Sequence, residues 1–117
     1  MDIENPRLRA RAIGGYWDLW IYYTATFHPA ELNQEFKDTV NYWEHDPEWY
    51  DLISAANWDT FRPQSTRIDV EWELLQVPAD LLDTEWGDEE VRGEVYLHST
   101  VAGVTINKMT PIVTISP

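Results

Sequence analysis

The sequence predicts an α+β fold: a largely antiparallel sheet with two consecutive helices packed on one face. Two changes in hydrophobic period carry this reading, from two to about 3.6 after Phe27 and back to two after Pro63. A third observation is the element order of strand, helix, helix and then several strands, with no repeat or linker dividing the chain. Residues 1–12 read as an N-terminal arm, with Pro6 opposing an early helix, and residues 13–117 as one α+β domain.

The organising stretch is Tyr16 to Phe27. Trp17, Leu19, Ile21, Tyr23, Ala25 and Phe27 fall on one side and suit a core. The other side carries Trp20 and Tyr22, so it is too aromatic for an indifferent solvent face. After His28-Pro29 the β pattern breaks. Leu32, Phe36, Val40 and Trp43 recur at steps of four, four and three, which predicts a helix from about Ala30 to Trp43. Asp46-Pro47-Glu48 offers an N-cap, a first-turn proline and an acid at the positive terminus, predicting a second helix from Pro47 to Asn57 or Trp58. Pro63 ends it.

Thr66 to Val77 gives the clearest strand, with Ile68, Val70, Trp72 and Leu74 alternating with Arg67, Asp69, Glu71 and Glu73. Val91 to Ser99 predicts another strand. Val104 to Lys108 and Ile112 to Ile115 read as terminal strand material split by Pro111.

The formal net charge is -13, from 21 acidic against 8 basic residues. A small designed domain usually carries a magnitude of about 2 to 8. Such an excess repels nucleic-acid backbones and acidic membranes, so neither direct nucleic-acid binding nor membrane association is expected, and it attracts a basic protein surface. Arg7, Arg9 and Arg11 form the local exception. The absence of cysteine removes disulfides and thiolate chemistry. No segment approaches the roughly 20 apolar residues of a membrane span, and the expectation is a cytoplasmic protein.

No glycine-rich phosphate loop, GxSxG elbow or HExxH helix is present. His28 with Glu31, and Glu44, His45 and Asp46 in one turn, have metal-ligand chemistry, yet 21 carboxylates place some beside histidines by chance. No metal or cofactor is expected. The leading reading is a non-enzymatic binding or inhibitor protein that occupies a basic partner site, including one that normally grips nucleic acid. Its surface is assigned to Glu44, Asp46, Glu48 and Asp51 around the helical pair, and to Trp86, Asp88, Glu89 and Glu90, with Trp86 as the exposed anchor. By class analogy, a small acidic cysteine-free chain suits a mobile-element accessory.

Two alternatives stand beside it. Trp20 and Tyr22, with Glu71 and Glu73, form a platform for a sugar or a cation. The same paired carboxylates suit a hydrolase, provided that one is raised in pKa by burial.

Overall fold

The strand read from Tyr16 to Phe27 is the middle of a three-stranded antiparallel sheet. In the computed structural model, which describes residues 1–45, 50–78 and 89–115, β1 (Asp2–Ile13) pairs with β2 (Tyr16–Thr26), and β2 pairs with β6 (Arg67–Pro78). A second antiparallel sheet is built on β3 (Phe36–His45) and β7 (Glu89–Ser99). On the outer side of β3 lie β4 (Tyr50–Ala55) and β5 (Asp59–Phe61); beside β7 lie β8 (Val104–Met109) and β9 (Val113–Ile115). The stretch read as an arm is therefore strand β1.

This is an all-β architecture, and it corrects the α+β expectation. Among the described residues the helical content is one 3-10 turn, Pro29–Glu31, with proline at its first position. The predicted first helix fails because a step of four fits both periods. Phe36 and Val40 share a face in a helix, and equally in a strand, where Asp38 and Tyr42 join them. Thr39, Val40, Asn41 and Tyr42 between them are poor helix formers, and β-branched and aromatic residues fit a pleated surface. Leu32 lies outside any regular element and Trp43 on the opposite face of β3 from Phe36 and Val40. In place of the second helix stands β4, with Leu52 half exposed; Asp46, Pro47, Glu48 and Trp49 lie outside the described residues.

The two sheets face each other across one core. Trp17, Leu19, Ile21, Tyr23 and Ala25 of β2 meet Phe36, Val40 and Tyr42 of β3 and Val91, Val95 and Leu97 of β7. Two bulges make this possible. Ile3 and Leu8 of β1 are five residues apart, which strict alternation would place on opposite faces. The register shift between Glu4 and Arg7, with Asn5 at φ 49°, turns both inward and gives Pro6 a position outside the regular ladder. On β6, Gln76 at φ 59° lets Leu74 and Val77 both face the core, and its amide donates to Asp18 Oδ1 at 3.0 Å.

One side of the sandwich is tied shut. Lys108 Nζ on β8 donates to the Ile3 carbonyl at 2.6 Å and pairs with Asp2 Oδ1 at 3.1 Å. In the middle the sheets approach closely at Gly93, where an added Cβ would lie 2.5 Å from Ile21 Cδ1 and 3.2 Å from Thr110 Cγ2. Gly93 also donates to Thr110 Oγ1 at 2.9 Å. Gly93→Ala should therefore cost about 1–3 kcal/mol by overpacking, measured by urea unfolding. Adding Ile21→Val, which removes the nearest methyl, should recover part of that loss in a double-mutant cycle. Additive losses would place the strain elsewhere.

Candidate ligand-binding cleft

Opposite the tied side, β6 and β5 are not hydrogen-bonded to each other, and a cleft of about 730 Å³ opens between them. That volume falls within the range of small-molecule sites. β6 contributes Ile68, Val70 and Trp72, all from the inward register that its alternation sets. Phe61 of β5 forms part of the opposite wall, backed by Phe27 and Phe36 at ring separations of 6.1 Å each. Trp58 stands at the rim, 50% exposed.

Into this apolar lining the sequence places acids. Asp38 takes the inward position of β3 between Phe36 and Val40, and it is 2% exposed. Tyr23 Oη donates to its Oδ2 at 2.6 Å, and Trp72 Nε1 donates to the same oxygen at 3.0 Å. Both donors come from the three-stranded sheet, so the carboxyl group joins the two layers. Asp59 is the direct cross-strand partner of Asp38 and also lines the cleft. Burial holds the Asp38 carboxyl above the ordinary aspartate range; the two donors oppose this, and the charge of Asp59 adds to it. Burial, and then the neighbouring Asp38 charge, push the Tyr23 phenol far up, so it stays a donor. Arg62, the cation of the lining, is committed by a hydrogen bond to the Asn33 carbonyl at 2.8 Å and lies 3.9 Å from Glu35.

Chemically the cleft is an apolar slot with carboxylates in its wall. A cation carrying an apolar body satisfies both features, since it compensates two acids and covers the rings.

The residues expected to form sites are distributed differently. Glu71 borders the cleft. Trp20 and Tyr22 lie on the outer face of the first sheet, directly beside Glu73 and Glu71 in the β2–β6 register. Arg7 stacks over Tyr22 at 5.2 Å, while Arg9 and Arg11 stand 6.0 and 5.3 Å from the Trp20 ring. Of the acidic partner surface, Glu44 and Glu89 are buried, whereas Asp51 and Glu90 are exposed. All four lie on strands: β3 and β4 replace the helical pair around which Glu44 and Asp51 were expected, and Glu89 and Glu90 begin β7. Asp46, Glu48, Trp86 and Asp88 lie outside the described residues. Among the described residues, no group of three His, Cys, Asp or Glu side chains is arranged to hold a metal ion.

The sequence reading missed Asp38, Asp59, Trp58 and Phe61 as one site. Its available signal was an acid at the inward parity of Phe36-Lys37-Asp38-Thr39-Val40, visible once that segment is read at a period of two.

Comparison with protein-family models, curated proteins and solved structures found no match for this chain.

The raised pKa of Asp38 has a definite linkage sign. The folded state binds this proton more tightly than the unfolded chain, so the resulting stability is present below the ordinary value of 3.8 and lost as pH rises through the folded value. Asp38→Asn removes that titration. The difference in Tm between Asp38→Asn and the parent should therefore become more favourable to the variant between pH 4 and pH 7. A pH-independent difference in thermal melts would contradict it.

Proposed function

We propose that this protein is a non-enzymatic binding protein whose cleft takes a small organic cation, an ammonium group set on an apolar or aromatic body. The observation that carries this reading is Asp38: a carboxylate 2% exposed, beside Asp59, facing the apolar part of the cleft wall formed by Trp58, Phe61, Ile68, Val70 and Trp72, while the lining's Arg62 is engaged by the Asn33 carbonyl and Glu35. Leaving such a group buried without a compensating charge is costly, and an ammonium ligand supplies that charge. Trp58 and Trp72 add π faces, where a desolvated cation gains about 0.5–2 kcal/mol. The net charge of -13 raises the local concentration of any cation near the mouth.

A second reading, an acidic surface that occupies a basic partner site and imitates nucleic-acid charge, is favoured by the same -13 and by the exposed Asp51 and Glu90. A pull-down at roughly 0.15 M salt, followed by competition with nucleic acid, tests it separately.

The cleft is tested by titration calorimetry with hexyltrimethylammonium and with 1-heptanol as its uncharged counterpart. The cation should bind, and Asp38→Asn should weaken it by about 10- to 100-fold, the value of a hydrogen bond or contact to a charged group. Affinity should also fall as pH drops through the raised Asp38 value, because the protonated acid offers no charge. Equal binding of the alcohol and the cation would leave an apolar cleft and remove the assigned role of Asp38.

A further inference from the structure

The outer face of the three-stranded sheet carries three parallel rows of different chemistry. Arg7 and Arg9 stand on β1, Tyr22 and Trp20 on β2, and Glu71 and Glu73 on β6, with Arg7, Tyr22 and Glu71 at one level and Arg9, Trp20 and Glu73 at the next. All four charged residues are exposed and both rings are partly so. The cationic and anionic rows lie two strand spacings apart, about 9.6 Å, with the rings between them. That is too far for direct pairing within the sheet. Arg11 is paired with Asp18 at 3.5 Å, whereas Arg7 and Arg9 rest on the rings, and among the described residues neither they nor Glu71 and Glu73 form an ion pair.

Such a face is complementary to itself in one orientation. A two-fold axis parallel to β2 keeps each level in place while exchanging the two edge rows. Arg7 and Arg9 of one copy then lie over Glu71 and Glu73 of the other, twice, with Tyr22 and Trp20 packed at the centre. An axis across the strands would instead set arginine on arginine and glutamate on glutamate. Aligned packing of twisted sheets, at about 30°, is compatible with the first arrangement. A self-complementary patch is what an isologous dimer requires.

We propose that this face is the contact surface of a homodimer with a two-fold axis along β2. Three strands give a patch at the small end of specific interfaces, so dissociation constants on the order of 0.1 mM are expected. The overall negative charge opposes association, but beyond about 8 Å it is screened at 0.15 M salt. At the contact itself the rows decide.

The experiment separates row pairing from net charge. Arg7→Glu/Arg9→Glu makes both edge rows acidic, and Glu71→Arg/Glu73→Arg makes both basic. Each alone should shift the monomer–dimer midpoint in sedimentation velocity at 0.15 M salt by at least tenfold towards higher concentration. Mixed in equal amounts, the two variants should associate at least as well as the parent chain, because each acidic row then meets a basic one. The Glu71→Arg/Glu73→Arg variant is the sharper arm: it lowers the net negative charge by four, so non-specific repulsion alone predicts stronger self-association, whereas the row model predicts weaker. A parent chain and a mixture that both remain monomeric to 1 mM would overturn the proposal, as would self-association that follows net charge alone. Circular dichroism of each variant, matched to the parent β spectrum, ensures that loss of association is not loss of fold; if one pair fails to fold, single Arg9→Glu and Glu73→Arg variants carry the same mixing test.

Discussion

The buried carboxylate of Asp38 is the constraint on which the two-layer arrangement turns. Its partners, Tyr23 and Trp72, belong to the opposite sheet, so the same oxygen that needs compensation for its charge fixes the distance between layers at this end. Two donors make the acid tolerable; they do not make it free, since burial still holds its pKa above the usual range. The site is consequently a place where folding accepts an unfavourable group in return for a preorganised charge. The proposed binding role rests on that preorganised charge.

Elsewhere the sheets are held by shape. Gly93 allows Ile21 to enter against the backbone of β7, and the bulges at Asn5 and Gln76 rephase two strands so that apolar residues at odd spacings share one side. The consequence is asymmetry. Lys108 and Asp2 tie one edge of the sandwich, and the absence of hydrogen bonding between β5 and β6 leaves the other edge open to form the cleft. Closing both edges would have produced a barrel with a filled interior and no mouth.

Those features explain what could be read from the chain. The inward register of Tyr16 to Phe27 was legible because Trp17, Leu19, Ile21, Tyr23, Ala25 and Phe27 alternate without interruption, and every one of them is buried. Ile68 to Leu74 was legible for the same reason. From Ala30 to Trp58 the pattern is equivocal: Phe36 and Val40 satisfy either period, and Asp38 and Glu44 occupy inward positions where an apolar residue would have revealed the strand. The misreading and the site thus share one cause. An acid on the core face of β3 conceals the strand from a hydrophobicity pattern, and that same acid marks the cleft. Parity groups Trp20 with Tyr22 and Glu71 with Glu73, but the position of Arg7 and Arg9 over the rings required the pairing of β1 with β2, which depends on a bulge that composition does not announce.

Charge acts here at two scales that pull in different directions. Taken over the whole chain, -13 favours cations and opposes self-association. Within contact distance it is the placement of individual groups that decides, because screening removes the long-range part while leaving close or desolvated pairs largely intact. In the proposed function the cleft draws on both scales, the overall field attracting a cation for Asp38 and Asp59 to hold. The outer face of β1, β2 and β6 uses only the second, with its few basic residues gathered into one row opposite an acidic one. A chain with 8 basic residues that sets three of them on one strand, over two aromatic rings, has concentrated its scarce positive charge where short-range order can override its net sign.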